Sequence, residues 1–507
     1  MVRTTRWVFL LALLVISQGC SSGESGGAGG GAPAVDYRTI EGSPFGFHPG
    51  GADDYFYLQE LGASWSREAT YVIWDWVDVD RDGGFLFRNA TTPPHPDHPG
   101  SGGPLDYDAY WSRPPAWVNL VANLCPFRRG GEFADEAERD VYREFVRKLV
   151  ERYDGDDNTG CSQAFPDCYE VGDQDAPTAE TAAALAARPI KHWQVCNQVT
   201  DACNGPDCPD TSAAKFAAVQ LASYDAVKEA DAEAFVLIAG DSARDLYPPV
   251  FEAMGGQPGM DIVDFHRFGT ADTFDPEEDL VYLRSSLEDG GYDLDSLQFW
   301  FTETGTYTGD PVDDINQQEG PPFQFERDQA VDITKRHVTA MALGVQKLFW
   351  AWGIMEGFGC SCCLFDYTGL VYDGNEPPEA NGCDQADPYD LGAGVKKLGY
   401  FAYRLMVETL DGATGVATIE HNDAYRIYQY IKAGKRIWVV WASGGETIEI
   451  VLDTRGATTV RVTKGVPDTS AGQDVSSYST AFDRWQEPVD DELPLMVGAV
   501  PWFVEEL

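Results

Sequence analysis

An α/β fold, a (β/α)8 TIM barrel followed by a small antiparallel β-sandwich domain, is predicted by three observations. Eight short apolar runs alternate with helical patterns between residues 35 and 411. No Gly-rich phosphate loop follows the first run, which weighs against an open doubly wound sheet. After Asp411 the pattern turns to strand, turn, strand.

The eight runs are "FGF" at Phe45, "SWSR" at Ser64, "WVNLV" at Trp117, "HWQVCN" at His192, "FVLIAG" at Phe235, "IVDFH" at Ile262, "FWFTE" at Phe299 and "LFWAW" at Leu348. They are short and rich in β-branched and aromatic residues, as strands buried on both faces must be. The clearest helical pattern spans Glu132–Tyr153, where Val141, Phe145, Leu149 and Tyr153 recur at i+4 among Glu and Arg. Others cover Ala213–Asp231, Glu277–Asp289, Arg327–Leu343 and Val395–Asp411. Residues 35–411 are therefore expected to form the barrel. Residues 412–507 form the sandwich, where Ile448, Ile450 and Leu452 alternate with their neighbours and "AVPWFVEEL" closes the sheet.

Residues 1–20 read as a targeting segment. Arg3 and Arg6 precede "WVFLLALLVI", a run too short to favour a spanning helix. Cys20 follows small residues, as in a bacterial lipoprotein signal whose cysteine is lipidated; a plain secretory signal is the alternative. "SSGESGGAGGGAPA" at 21–34 is a flexible linker. Both readings give an exported protein, in the cell envelope or secreted; under the first, the lipid on Cys20 is its one expected membrane contact.

The formal charge of −46 argues against nucleic acid or an anionic membrane surface as partner, because phosphate would be repelled. After Cys20 come Cys125, Cys161, Cys168, Cys196, Cys203, Cys208, Cys360, Cys362, Cys363 and Cys383. In an exported chain they are expected to form disulfides, with Cys161–Cys168 and Cys203–Cys208 as short-range pairs and Cys196 tethering a nearby loop. Zinc at the Cys360–Cys363 cluster is the lesser alternative. "DVDRDGG" at Asp78–Gly84 starts like a calcium loop, but Asn89 replaces the closing Glu, so a tight turn is expected. His95 and His98 sit in a Pro-rich loop without further ligands near them. No metal and no cofactor is expected.

Barrel enzymes gather their chemistry at the C-terminal strand ends. Those ends read Arg67, Asn119, Asn197 with Gln198, Asp241, His266, Glu303, and Trp350 with Trp352. Indole rings stack on sugar faces while amides and a guanidinium bond hydroxyls, so the set suits a carbohydrate.

With "GASWSREATYVIWDWVD", "FVRKLVERYDGD", "KHWQVCNQ", "DIVDFHRFG", "FTETG", "KLFWAWGI" and "GVKKLGYFAYRLM" in this order, the chain resembles the clan-A retaining glycoside hydrolases. It is nearest to their β-xylosidase and α-iduronidase group. The resemblance places Glu303 at the catalytic nucleophile, Asn197 at the asparagine that bonds the sugar 2-hydroxyl, and Trp350 at the indole flooring the first subsite. It places Arg67 at the arginine supporting the nucleophile and His266 at the histidine of the sixth strand. Gln198 falls at the general acid/base, where a Glu is expected, and Phe268 stands where a tyrosine is often found.

The first departure matters because retaining hydrolysis uses two carboxyl groups about 5–5.5 Å apart. An amide has no titratable proton to give. Asp201, Glu68, Asp241 and Glu356 are the carboxylates that could stand in. The expected function is thus an exported glycoside hydrolase or transglycosidase, acting by a retaining mechanism on O-glycosidic bonds of an oligo- or polysaccharide. A non-catalytic carbohydrate-binding protein on the same scaffold is the alternative. A surface lipoprotein without sugar function would have no use for the row of polar strand ends.

Overall fold

The computed structural model describes residues 35–50, 55–80, 83–92, 103–126, 133, 135–155, 175–199, 213–270, 274–311, 322–357, 364–374 and 389–507. The signal segment and linker, His95, His98, Asp201 and every cysteine except Cys125 and Cys196 lie outside the described residues. Tyr37–Leu507 form one compact unit.

Eight parallel strands close into a barrel in chain order: Phe45–His48, Trp65–Ile73, Asn119–Cys125, His192–Val195, Phe235–Leu237, Ile262–Phe268, Gln298–Gly305 and Lys347–Ala351. Each overlaps one of the apolar runs. The long helices Glu136–Tyr153, Ala213–Ala230, Glu277–Asp289, Glu326–Ala342 and Leu398–Leu410 fall on the expected patterns. The first of them starts at Asp135, whose carboxylate accepts from the Glu138 amide at 2.9 Å, and Phe145, Leu149 and Tyr153 are buried along it. Short helices at Tyr55–Leu61, Ala179–Ala186 and Tyr247–Met254 have only 7 or 8 residues. Two turns are too few to display a helical period in sequence.

The barrel interior is graded from apolar to polar along its axis. Trp65, Val121, Leu237, Ile262, Trp300 and Phe349 pack together as a plug near the strand starts. Gly46 leaves room for that plug, since a Cβ there would lie 2.7 Å from Phe349 and 3.0 Å from Trp65. About two residues further along come Arg67, Asn123, Gln194, Asp264 and Thr302, all buried. Glu303, His48 and His266 lie above them, also buried. The outward-pointing residues, Trp193, Phe265, Leu348 and Trp350 among them, pack under the helices in the main core.

The C-terminal part forms a seven-stranded antiparallel sheet and a two-stranded sheet, Ile448–Asp453 with Glu492–Val497. Ile427, Trp438, Val440, Ile450, Leu452, Leu493, Leu495 and Val504 fill the space between them. The larger sheet also takes in Arg38–Thr39, which pairs with Ala413–His421 although it precedes the first barrel strand. Its other face contributes Val416, Tyr428, Tyr430, Val439, Trp441 and Phe503 to the barrel's main core. Glu326 fastens the two parts, its Oε2 accepting from the amides of Leu398 and Gly472 at 2.7 Å each.

Cys125 and Cys196 form a disulfide across a sequence separation of 71 residues. It joins the ends of two neighbouring barrel strands, not a strand to a loop, because the Cys196 amide already bonds Leu124 O at 2.7 Å and continues the ladder. Closing a loop of this length restricts the unfolded chain, so replacing both cysteines by Ser is expected to cost about 2–5 kcal/mol. Urea melts of the two proteins would check it; coincident curves would contradict it.

Candidate active site

Two register shifts build the mouth of the barrel. In the seventh strand Trp300 lies opposite Asp264 but Glu303 lies opposite His266, so one extra residue is accommodated. Consecutive Thr302 and Glu303 both reach inward in consequence, Thr302 to Asp264 and Glu303 to Arg67. In the second strand Arg67 faces Val121 and Tyr71 faces Asn123, a larger shift that brings Tyr71 back over the mouth. The fourth strand ends in a turn where Cys196 and Gln198 have φ of +58° and +42°, a left-handed conformation uncommon for residues with side chains. This turn is held by the disulfide and by the Gln198 amide donating to Gly240 O at 2.8 Å. It directs Asn197 at Arg67.

Arg67 is the hub. Its Nη1 donates to Glu303 Oε1 at 2.7 Å, Nη2 to Asn197 Oδ1 at 2.7 Å and Nε to Gln194 Oε1 at 2.6 Å. Gln194 in turn donates to Asp264 Oδ2, which also accepts from the Thr302 hydroxyl at 2.5 Å. The Tyr71 hydroxyl lies near Arg67 and Asn197, and burial raises its pKa. A buried guanidinium with its donors engaged by amides and a carboxylate is a rigid positive anchor.

Two histidines flank Glu303. His48 Nε2 lies 3.5 Å from Oε1 and His266 Nδ1 lies 3.3 Å from Oε2. Burial, with Arg67 nearby, holds both imidazoles well below their usual pKa, so both are neutral. The hydrogen-bond network then assigns their tautomers. His48 Nδ1 faces the Arg67 carbonyl at 2.7 Å and must donate to it. His266 Nε2 faces Thr302 Oγ1 at 3.2 Å; because that hydroxyl donates to Asp264, the imidazole supplies the proton. Each histidine therefore turns a lone pair toward Glu303. Burial raises the Glu303 carboxyl to about 7, against the pull of Arg67, and raises Asp264 to about 6. The two lone pairs favour the protonated acid in the same direction.

The structure brings Arg67, Asn197, His266 and Glu303 together; Gln198 is half-buried and follows Asn197 on the turn that ends the fourth strand. Two positions need correction. Trp350 is fully buried; its indole donates to Thr368 O at 2.8 Å and stacks on His337 beneath the helices. Strand alternation turns it outward, because Phe349 belongs to the interior plug. Trp352 is the indole at the mouth, half-buried, its ring centroid 4.4 Å from His48. Asn119 starts the third strand instead of ending it, so Asn123 lies under the mouth and bonds the Glu68 carbonyl at 3.3 Å.

Three of the stand-in carboxylates are occupied. Glu68 accepts from the hydroxyls of Tyr55, Ser66 and Tyr110 at 2.6–2.8 Å. Asp241 is buried and caps the Ala243 amide at 2.8 Å, and Glu356 is paired with Lys397. Asp78 binds the Gly83 amide at 3.0 Å, as a tight turn does. Phe268 meets Phe365 at 4.9 Å and Phe365 meets Trp352 at 5.8 Å, giving an aromatic wall beside His48. His48 and Tyr71 were not singled out by sequence. His48 stands one residue past "FGF", at a strand end, and could have been; Tyr71 depends on the register shift, which leaves no mark in the sequence.

No protein-family model matches the chain, and no curated protein is significantly similar to it. Solved structures do share its fold. A family 39 glycoside hydrolase from the gut symbiont Bacteroides cellulosilyticus WH2 is 12% identical, with 92% of this chain and 81% of that one covered and a TM-score of 0.55. An α-L-arabinofuranosidase from Thermotoga maritima, solved as an arabinose complex, is 11% identical over 93% of this chain and 97% of that one, with a TM-score of 0.56. A glucosidase from Croceicoccus marinus is 12% identical over 94% and 97%, with a TM-score of 0.55. At these identities the likeness establishes an architecture: the chain is built on the barrel-plus-β-domain scaffold that these glycoside hydrolases share.

Proposed function

We propose that the protein is an exported retaining glycoside hydrolase or transglycosidase acting on O-glycosidic bonds of an oligo- or polysaccharide, with Glu303 as nucleophile. The observation that carries the reading is the Arg67 hub, which binds Glu303 from one strand and Asn197 from another at 2.7 Å each. A carboxylate fixed by a guanidinium beside an amide is suited to attack an anomeric carbon while the amide holds the adjacent hydroxyl. In this reading a Glu303 oxygen bonds C1 and the C1–O bond breaks toward the leaving oxygen. Water then attacks C1, loses its proton to solvent and frees Glu303. Gln198 holds substrate but gives no proton, so leaving groups stable as anions depart most readily. The disulfide supports an oxidising compartment, in keeping with secretion or a lipid anchor on Cys20. The scaffold relatives are named for different sugars, so the test is a panel of aryl pentosides and hexosides with wild type and Glu303→Ala. A 2-fluoro glycoside with an activated leaving group should leave a glycosyl ester on Glu303, located by peptide mass spectrometry. Labelling elsewhere, or none with any sugar, would count against it.

The second reading, a carbohydrate-binding protein without turnover, is favoured by Gln198 together with the full burial of Glu303. Oligosaccharide binding in a protein inert toward every aryl glycoside would select it.

Either reading assigns the sugar platform to Trp352. Trp352→Ala is expected to weaken substrate affinity roughly 10–100-fold, the loss of one aromatic contact face. Trp350→Ala should instead cost about 3–5 kcal/mol of stability through the cavity it leaves. Binding isotherms and melts on both variants separate the two; the reverse assignment would restore Trp350 as the platform.

A further inference from the structure

The face of the barrel where its strands begin, opposite the Glu303 mouth, carries a cavity of about 430 Å³. It lies between the start of the seventh strand at Phe299, the turn before the eighth strand and the short strand Arg38–Thr39. Two guanidinium groups line it. Arg284 is half-buried, stacks over the Phe299 ring at 4.7 Å and donates to Leu343 O at 2.6 Å. Arg38 is exposed and approaches it from the sandwich sheet. Arg284 Nη2 and Arg38 Nη1 are each 3.1 Å from the point a Gly344 Cβ would occupy, so the two cations converge on the space beside this glycine.

Like charges at this separation repel, and burial and Arg38 both lower the Arg284 pKa. Neither arginine is paired with a carboxylate among the described residues, although Asp295 lines the same cavity. The chain has 82 acidic side chains against 36 basic ones, so a carboxylate partner would have been easy to supply. Two converging guanidiniums left unmatched on so acidic a protein complement an anion.

We infer that this cavity binds a small-molecule oxyanion, a carboxylate, sulfate or phosphate group, held between Arg38 and Arg284. The planar guanidiniums supply parallel N–H donors, Gly344 keeps the space before them open, and the cavity volume admits the body of a ligand such as an acidic monosaccharide. Binding here is distinct from turnover at the Glu303 mouth, so its test does not depend on the glycosidase reading.

The test is calorimetry and thermal melting of the full chain with sodium sulfate, sodium phosphate and sodium glucuronate, against sodium chloride at equal ionic strength. Saturable binding of at least one of the three is expected, with a matching rise in Tm. Arg38→Gln and Arg284→Gln should each weaken it roughly 10–100-fold, the loss of one charge-assisted contact. Binding of glucuronate alone identifies an acidic sugar as the ligand; binding of sulfate or phosphate as well identifies the oxyanion itself. Arg38 is exposed, so Arg38→Gln should fold and, with the repulsion gone, should melt no lower than wild type without ligand. No saturable binding beyond the chloride control, or binding unchanged in Arg38→Gln, overturns the inference.

Discussion

Glu303→Ala is expected to abolish glycoside turnover, by roughly 10⁴–10⁶-fold if it acts as other covalent nucleophiles do. The loss should be similar for activated and unactivated leaving groups, because both need the bond to C1. Wild type carries a further signature. The nucleophile must be ionised and its carboxyl is raised to about 7, so kcat/KM should rise with pH through that region. Gln198 does not titrate, so no alkaline limb from a general acid should follow, and the profile should be a single sigmoid. The same proton enters the stability. A folded-state pKa above the ordinary carboxylate value gives stabilisation that is complete below about 4.5 and is lost as pH rises through about 7. Asp264 acts in the same sense below it, through about 6. Glu303→Gln, which cannot ionise, should therefore show a flatter dependence of Tm on pH between about 4.5 and 7. A bell-shaped rate profile in wild type, or a Tm profile that Glu303→Gln leaves unchanged, would show that Glu303 does not carry this proton.

The barrel was legible because its strands are buried on both faces and so stand out as apolar runs between amphipathic helices. Glu303, Arg67, Asn197 and His266 were legible because each ends such a run. Trp350 was misplaced because "WAW" offers two indoles, and only the interior position of Phe349 decides which faces the mouth. Asn119 was misplaced because the third strand begins in the middle of its apolar run and continues to Cys125. Tyr71 depends on the shift in the second strand, and the lone pairs facing Glu303 depend on hydrogen bonds among four strands. Such features arise from pairing between distant segments, which periodicity cannot report. Gln198 was visible at once as an anomaly, and its surroundings bear on what it costs.

Gln198→Glu is expected to raise turnover of glycosides with poor leaving groups by up to ~10²–10⁴-fold, the contribution of a general acid. The replacement has the same length and stands on the same turn, beside Asn197 and therefore one residue from the Arg67 hub that also holds Glu303. Glu303 as an adjacent anion should raise the new carboxyl's pKa and keep it protonated while the nucleophile is ionised. Aryl glycosides with activated leaving groups should gain much less, since their oxygens depart without a proton. A second limb should appear on the alkaline side of the rate profile, where the new acid ionises, turning the sigmoid into a bell. Glu68, Asp241 and Glu356 are already bound within the protein, so they offer wild type little general acid of its own. If wild type nonetheless cleaves natural glycosides at full rate and Gln198→Glu leaves that rate unchanged or lowers it, the proton comes from elsewhere and the amide is a substrate contact alone. If both forms bind oligosaccharide and neither cleaves any glycoside, the missing proton is not the sole defect, and the scaffold serves binding.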